Sequence, residues 1–423
     1  MRKAMRRTAT GTRVIDDRPG VLEAMAFVLR GAHRVQQLRL DFGQLAPSTW
    51  QRLDRILGAC SALQQLHILN WPAMGELSSL GRAEVADACS ADPWAPQHPK
   101  LGTVAFDSCT VGKGLLGAAA SLLQHAHTVR LHLMQESKAT MGIMWRSRQE
   151  PSGVLLLLRA ARGLRHLTLQ ACKALCPSNC SYPLLETLSL LRQGHPLLQS
   201  LHLEHMHFAG GVHFAMPPPA PKATGLLSLN LHSIPLHRDD LGAVVQACAQ
   251  LQRLHLDKCR LQGEVPTAAG HDSLLQLVQS STPHLTQFTM NWCTNTTWRD
   301  LSVPSSSAGD QLRVRMLAEG GVTALALGGF QCFAQDTVRS LAQAFPHTRT
   351  LDVSHAKGVT ADTVLQCLLA FPDLEALDVC HTALTLEQVQ QLRGRVLMPA
   401  PPEGAAQIQT SLAVAAPHVF VLA

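Results

Sequence analysis

A short apolar frame, LxxLxL, recurs along most of the chain and is its strongest periodic signal. The fourth and sixth positions are apolar in every copy, and the position between them is mostly polar. Frames begin at Val35, Leu63, Leu101, Thr128, Leu164, Leu185, Leu198, Leu226, Leu251, Leu285, Val322, Thr348 and Leu374. This alternation predicts short strands with one buried face. Many intervals are about 25 to 28 residues, which indicates a repeat architecture.

Between the frames lies a second pattern, in which apolar residues recur at i, i+3, i+4 and i+7. Such quartets begin at Leu53, Val154, Leu241, Val338 and Val364. The spacing places the apolar side chains on one stripe of a helix. The next frame opens three residues after each quartet ends, so helix and strand recur in a fixed order. Two stretches have the pattern of capping boxes and predict helix starts, Ser48–Gln51 and Thr385–Gln388.

Together the two patterns predict an α/β fold, a curved solenoid with one parallel strand and one helix per typical repeat. The expected organisation is a basic, disordered N-terminus at 1–13, a helical cap at 14–34, repeats over 35–393 with insertions near 70–100, 208–225 and 291–321, and a C-terminal loop and cap strand at 394–423. The basic N-terminus is interpreted as a solvated end, although a short targeting peptide or a nucleic-acid tail has the same composition.

Composition narrows the class of protein. Hydrophobic residues make up 46% of the chain and aromatic residues only 4%, which excludes a disordered chain and predicts an aliphatic core. No apolar run approaches the ~20 residues of a membrane span. The twelve cysteines are scattered along the chain, which favours free thiols in a reducing compartment. We therefore expect a cytoplasmic protein.

The cysteines also carry a family resemblance. The run Cys248-x-x-Leu251-x-x-Leu254-x-Leu256-x-x-Cys259 resembles the cysteine-containing class of leucine-rich repeat found in F-box proteins and their ribonuclease-inhibitor-like relatives. Cys109 and Cys172 fall in the slot of Cys259, and residues 358–379 are also close to that class. The resemblance implies that Cys259 turns the chain at the strand end, buried and bonded to a backbone group. A reactive or metal-binding thiol is the alternative.

Two rival patterns could carry chemistry. The stretch from Gly112 to Gly117, GKGLLG, has the GxGxxG spacing of dinucleotide-binding loops, so a nucleotide-binding enzyme is one alternative. Against it, about five residues separate Phe106, the end of the preceding strand frame, from the first glycine, which should follow the strand almost at once. We interpret the stretch as a repeat loop.

Zinc is the other rival. Three cysteines have CxxxCxxxC spacing, and four histidines crowd around one frame: Cys172, Cys176, Cys180, His202, His205, His207 and His213. Neither group has the tight CxxC pair or the helical histidine pair that is usual for zinc. We predict no metal, cofactor or catalytic residue.

The residues expected to carry function lie on the exposed side of the strands. Leucines at positions four and six point into the core, so positions three and five point onto the concave sheet face. Position five includes Ser189, and the candidate partner-binding residues are Arg39, His67, Arg130, His132, His166, His202, Arg253, His255, Asp352 and Asp378. The face is basic and histidine-rich over its first two-thirds and acidic in its last repeats. A merely solvated face is the alternative to a binding surface.

These observations favour a non-enzymatic protein-interaction scaffold for an acidic or mixed-charge protein partner. Nucleic acid is an unlikely partner, because stacking aromatics and clustered arginines are lacking. The resemblance suggests an alternative, the substrate-recognition component of a ubiquitin ligase that works with other ligase subunits. That role needs an F-box of roughly forty residues, and only about thirty precede Val35, so the module would lie on a partner protein or in a longer form of this chain.

The histidines predict a pH effect. Four of them, His67, His132, His202 and His255, are assigned to position five of different repeats and should line one face. An exposed histidine titrates near ~6.5, so acidification adds positive charge to that face. An acidic partner should then bind more tightly at lower pH.

Overall fold

The structure is a computed structural model of the 423-residue chain. It describes residues 5–7, 13–15, 35–42, 57, 60–71, 100–111, 115, 122–136, 153–172, 183–206, 225–263, 274–294, 321–330, 333–397 and 420–422. The chain forms two compact units, Met1–Val212 and His213–Ala423, which we call the N-terminal and C-terminal units.

The N-terminal unit is built on a sheet of short strands that is parallel after its first pair. Its sheet strands are β1 (Met5–Arg7), β2 (Arg13–Ile15), β3 (Gln37–Asp41), β4 (Gln65–Leu69), β5 (Thr103–Asp107), β7 (Thr128–His132), β9 (His166–Gln170) and β10 (Ser200–Glu204). β1 and β2 are antiparallel, and every later neighbour pairs in parallel, in chain order. A separate parallel pair consists of β6 (Thr110–Val111) and β8 (Gln135–Glu136).

The C-terminal unit repeats this plan. Its sheet strands are β11 (Ser228–His232), β13 (Arg253–Asp257), β15 (Gln287–Asn291), β16 (Ala324–Ala326), β17 (Thr350–Asp352), β18 (Ala376–Asp378) and β19 (Phe420–Leu422). All neighbouring pairs are parallel. A second parallel pair is made of β12 (Pro235–His237) and β14 (Arg260–Gln262).

Helices connect the strands where the apolar quartets predict them. The described helices are α1 (Gly153–Arg159), α2 (Pro183–Gly194), α3 (Arg238–Ala247), α4 (Leu274–Ser281), α5 (Gln335–Ala344), α6 (Ala361–Ala370) and α7 (Leu386–Leu397). The first three residues of the quartets that begin at Val154, Leu241, Val338 and Val364 lie on four of these helices, and each of these four named residues is buried. The quartet at Leu53 lies largely outside the described residues.

One predicted capping box is present. The backbone N–H of Thr385 donates to the Gln388 side chain at 2.9 Å, and the N–H of Gln388 donates to the Thr385 hydroxyl at 3.2 Å. Two otherwise unsatisfied donors are thereby paired at the start of α7. The other predicted box, at Ser48–Gln51, lies outside the described residues.

The core is aliphatic, as composition predicts. Side chains at positions four and six are buried in every frame that forms a sheet strand, with the frame of β7 counted from Ala126, and Leu254 and Leu256 of β13 are both 0% exposed. Parallel pairing stacks position four on position four of the next strand, so the leucines form continuous rows inside each unit. The prediction of an α/β leucine-rich-repeat solenoid is confirmed.

From β4 to β18, each strand of the sheet in each unit is followed by a left-handed turn at position eight of its frame. The residues with positive φ at this position are Asn70, Ser108, Leu133, Ala171, His205, Ser233, Lys258, Trp292, Gly329, His355 and His381. Where the bond is described, this conformation aims the N–H at the position-seven carbonyl of the next repeat, as from Lys258 to Asn291 at 2.8 Å. The extra bond offsets the cost of about 1–2 kcal/mol that positive φ carries for most residues.

Two predicted frames are wrong. The frame at Leu185 is helical, because it lies within α2, and the Ser189 hydroxyl donates to the Leu185 carbonyl at 2.9 Å. Ser189 is therefore not on the sheet face.

The second error is a slip of two residues. The frame assigned to Thr128 begins at Ala126, because β7 pairs Arg130 in register with Ala105. Arg130 consequently holds position five instead of position three. His132 holds position seven, so the prediction that His132 shares a position with the other face histidines is wrong.

The predicted ends lie only partly within the described residues. Strands β1 and β2 fall in the segment that we expected to form a disordered tail and the start of a helical cap. The three expected insertions and most of the cap lie outside the described residues, and the domain boundaries stay a prediction. β19 pairs with β18 where a C-terminal cap strand was expected. Among the described helices, none is both long enough and apolar enough to span a bilayer.

A buried histidine makes the stability of the N-terminal unit depend on pH. His195 follows α2, is 2% exposed, and has its Nδ1 3.2 Å from the Ala161 carbonyl oxygen. Burial lowers the pKa of His195 below its ordinary value. Since the pKa is lower in the folded chain, the stabilisation is complete above ~6.5 and is lost as pH falls below it.

We therefore expect the melting temperature of the parent to fall more steeply between pH ~7 and pH ~5 than that of His195→Gln, whose side chain does not titrate. Thermal melts of both proteins at several pH values, followed by circular dichroism, measure the two slopes. Equal slopes would mean that His195 is already charged or exposed in the folded protein.

Candidate protein-binding face

The open sheet face is defined here as the side chains at frame positions three, five and seven. In the N-terminal unit, register pairing aligns position five of six successive parallel strands: Arg39, His67, Ala105, Arg130, Thr168 and His202. Because parallel strands lie about 4.8 Å apart, these side chains form one continuous row. The structure thus brings four of the predicted site residues into line.

A groove opens where this row contains its smallest side chain. The groove has a volume of about 740 Å³, and its wall includes Arg39, His67, Arg130 and His132. Ala105 lies between His67 and Arg130 on the adjacent strands. Alanine at this point leaves room that arginine or histidine fills in neighbouring repeats.

The charge of the groove comes from two arginines. Within the described part of the chain, neither Arg39 nor Arg130 takes part in an ion pair. Burial lowers the pKa of His67, and the charge of Arg39 lowers it further. His67 therefore tends to stay neutral near neutral pH, and the two guanidinium groups supply the positive charge.

Position seven, one residue beyond the LxxLxL frame, contributes acidic groups. Asp107 lies on β5, and its Oδ1 is 2.8 Å from Nδ1 of His132 on β7. At the next pair of repeats, Glu204 lies 3.4 Å from His202 and 3.6 Å from His205. Part of the histidine array is thus paired with carboxylates of the same sheet.

The C-terminal unit places the remaining predicted residues on its own open face. Position five aligns Asn230, His255, Thr289, Ala326, Asp352 and Asp378. His255 accepts or donates a hydrogen bond at 2.9 Å with Thr289, and burial followed by the charge of Arg253 lowers its pKa. A shallower groove of about 370 Å³ lies between His255 and Asp378.

Asp352 and Asp378 stabilise the turns that follow their strands. Oδ1 of Asp352 accepts the backbone N–H of Ser354 at 2.8 Å, and Oδ1 of Asp378 accepts that of Cys380 at 2.9 Å. Each carboxylate therefore ties down the turn that follows its strand. The second oxygen of each group does not take part in that bond.

Two predicted residues lie at position three. His166 on β9 and Arg253 on β13 are both exposed. Neither lines the groove of its unit. The assignment of all ten residues to partner binding stays a prediction.

The cysteines of the recurrent slot are structural. At position nine, each of four buried thiols reaches the carbonyl oxygen of position six in the preceding repeat: Cys109 to Ile68 at 3.6 Å, Cys172 to Leu131 at 3.5 Å, Cys259 to Leu231 at 3.2 Å and Cys293 to Leu256 at 3.5 Å. Burial raises the pKa of Cys109 to about 12 and that of Cys172 to about 11. The thiols of Cys109 and Cys172, whose pKa is raised, are poor nucleophiles.

The rival motifs are only partly described. Gly112 and Gly117 lie outside the described residues, as do Cys176, Cys180, His207 and His213. Cys172 is a core residue.

A row of exposed rings in the C-terminal unit was missed. Trp292 is 45% exposed, and its ring centroid lies 4.9 Å from that of His355, which stacks at 4.3 Å on His381. The indole lies across Gly329, where a Cβ atom would come within 2.6 Å of the ring. All four residues hold position eight, so this row follows from the turn geometry and not from the LxxLxL frame.

Comparison with known proteins locates the repeats within a family. The family model described as FBD-associated F-box protein At5g56370, LRR repeats, matches residues 153–379, more than half of the chain. No curated protein matches the sequence.

Solved structures with a similar arrangement include a protein from Bacteroides fragilis, at 11% identity and a TM-score of 0.31, covering 74% of this chain and 70% of that chain. They also include the leucine-rich repeat-containing protein LegL7 from Legionella pneumophila, at 12% identity and a TM-score of 0.35, covering 84% of this chain and 98% of that chain.

Proposed function

Because the chain belongs to the family of leucine-rich repeats described for the FBD-associated F-box protein At5g56370, we propose that it is a non-enzymatic scaffold that binds a protein partner on its open sheet face. Repeats of this kind present one exposed side chain per strand at each position, which provides a long, regular contact surface. The proposed contact residues are the ten residues of the sequence analysis, with His132 at position seven.

The groove of the N-terminal unit carries this proposal. Its volume is about 740 Å³, and Arg39 and Arg130 border it without an ion pair among the described residues. Guanidinium groups that lack an ion pair can form charge-assisted hydrogen bonds with the carboxylates of an acidic partner. The buried cysteine thiols, by contrast, point into the protein and form hydrogen bonds there.

Affinity capture with matched variants tests the proposal. The full chain is used as bait in cells that express it, beside a variant with Arg39→Glu and Arg130→Glu and a control with Arg165→Glu. Arg165 is exposed and does not line the groove. We expect a partner, identified by mass spectrometry, that the double variant loses and the control retains. Equal capture by all three proteins would show that the open face is not the binding surface.

Binding of an acidic partner should strengthen as pH falls from about 7.5 to 5.5, because protonated histidines add positive charge to the groove while the partner's carboxylates, with pKa near ~4, stay ionised. The groups that act on His67 are Arg39, Arg130 and His132, which oppose its protonation, and Asp107, which favours it. Since the pKa of His67 is lowered, we expect its part of the effect below pH ~6.5.

The comparison is between the parent and a variant with His67→Gln and His202→Gln, with affinity for the captured partner measured at both pH values. A weaker pH effect in the variant is the expected result, and high salt should weaken the effect in the parent. If both proteins respond equally to pH, these histidines are only solvated surface.

A second candidate function is substrate recognition in a ubiquitin ligase. The observation that favours it is the family description, which names an F-box protein. Cullin-adaptor proteins in the capture experiment would support this candidate, whereas stable partners without ligase subunits would favour the simple scaffold.

A further inference from the structure

The groove of the N-terminal unit has features that define the chemistry of its occupant. This step rests on the proposed function and concerns the same surface. Arg39 and Arg130 stand on β3 and β7, which are separated by β4 and β5. At about 4.8 Å per strand step, their backbones are roughly 14 Å apart.

The acidic groups of the same sheet form hydrogen bonds within it, and one of them, Asp107, also lines the groove. Oδ1 of Asp41 accepts a hydrogen bond from the Asn70 amide at 2.8 Å, and Asp107 is held by His132 at 2.8 Å. Both carboxylates belong to position seven, at the strand ends, and their partners on the next strands are Asn70 at position eight and His132 at position seven. The arginines of position five face the groove with no described ion-pair partner.

From this arrangement we propose that the groove binds an extended acidic segment of a protein partner, with one carboxylate at Arg39 and a second at Arg130. An extended chain advances about 3.4 Å per residue, so side chains four residues apart lie on the same side and are separated by roughly 14 Å. The segment therefore crosses the strands and carries Asp or Glu at i and i+4.

Ala105 is the point at which the segment comes closest to the sheet. It is one strand from Arg130 and two from Arg39, and its methyl group is the smallest side chain of the row. A partner residue between the two acids rests there, beside the neutral imidazole of His67. The charged ends form charge-assisted hydrogen bonds with the guanidinium groups.

Single-stranded nucleic acid fits this groove less well. Sequence-tolerant binding of single strands relies on exposed aromatic faces on which bases stack. Among the residues that the structure describes, the lining contains no tryptophan or tyrosine, and its phenylalanine, Phe106, is buried in the core. A peptide needs no stacking platform, because its carboxylates alone supply the contacts.

Synthetic peptides test the spacing on the full chain. The probe is a fluorescent, end-capped Ala/Ser peptide with Glu at i and i+4, and its counterparts carry Glu at i and i+1 or Gln at both positions. We expect the spaced peptide to bind at least about tenfold more tightly than the Gln peptide, and more tightly than the adjacent-Glu peptide. Fluorescence anisotropy measures each affinity.

Variants assign the binding to the groove. Arg39→Gln and Arg130→Gln should each reduce the affinity of the spaced peptide by about tenfold. Ala105→Gln should block the groove without changing its charge, and the strand tolerates this size because position five holds arginine or histidine elsewhere. Arg165→Gln should bind the peptide within about twofold of the parent. Thermal melts confirm that every variant is folded.

Several outcomes would overturn the inference. They are equal affinity for all three peptides, equal affinity of the parent and the arginine variants, and tighter groove-dependent binding of a mixed-sequence single-stranded RNA. If the peptides fail while the cellular partner is still lost in the Arg39→Glu and Arg130→Glu variant, the acidic segment is wrong and the scaffold proposal stands. If the peptides fail and the cellular partner binds that variant as well as it binds the parent, both the acidic-segment proposal and the scaffold proposal are wrong.

Discussion

Leu254→Asp is expected to abolish cooperative folding of the C-terminal unit. Leu254 is fully buried at position four of β13, where it stacks between Leu229 of β11 and Phe288 of β15. A carboxylate at this point would lose its hydration in an aliphatic row that offers no cation. The cost is on the order of several kcal/mol, which is comparable to the whole stability of a domain.

Urea unfolding followed by circular dichroism measures the effect, with Arg253→Asp as the matched control. Arg253 precedes Leu254 in the same strand but is exposed, so the same new charge should change the free energy of unfolding by only about 0.5 kcal/mol. A cooperative transition of Leu254→Asp near the parent midpoint would show that the frame is misassigned.

The repeat fold was predictable because two independent periods agree. The frame from Leu251 to Leu256 alternates with period two, and the quartet that begins at Leu241 has the helical period. The structure confirms both, as β13 and α3. Agreement between patterns of different period is difficult to obtain by chance, which makes the combined signal stronger than either alone.

The alternation of apolar and polar residues could not determine the register of β7. Val129, Leu131 and Leu133 are all apolar, so a shift by two residues leaves the same face buried. The choice is made by the left-handed turn, which falls on Leu133 and leaves this leucine 43% exposed. A rule that assigns every leucine to the core cannot identify a leucine at an exposed turn.

The sequence itself contains evidence against the frame at Leu185. Leu184, Leu185, Leu188 and Leu191 have helical spacing and are all buried in α2. In addition, the next frame opens at Leu198, about half a repeat later, which leaves no room for a helix between two strands. Interval length would have corrected this assignment.

The candidate site was predictable in part. Position five follows from the frame, so Arg39, His67 and His202 could be aligned from the sequence alone. The pairing of His132 with Asp107 could not, because it joins position seven of two strands whose register was unknown. The groove at Ala105 likewise depends on which side chains become neighbours, and that is a property of the sheet.

The turn before α6 shows how strongly local geometry can constrain a repeat. Gly358 opens the stretch that resembles the cysteine-containing class, and it has φ +88°. A Cβ atom there would lie 2.9 Å from the carbonyl oxygen of Phe333. The Phe333 N–H in turn donates to the Lys357 carbonyl at 2.8 Å. The two backbone segments are therefore held together and cannot easily separate to admit a methyl group.

Gly358→Ala is accordingly expected to destabilise the C-terminal unit by about 2–4 kcal/mol, from the positive φ and the close contact together. Gly321→Ala is the matched control, because its added Cβ would lie 3.6 Å from the nearest atom, in His347, an ordinary contact. The control should be neutral or stabilising by up to about 1 kcal/mol, through reduced entropy of the unfolded chain. For a unit of this size, 1 kcal/mol corresponds to roughly 2–4 °C in melting temperature, so the two variants should differ clearly in a thermal melt. Equal melting temperatures would show that the turn at Gly358 relaxes, and that the stretch needs no glycine there.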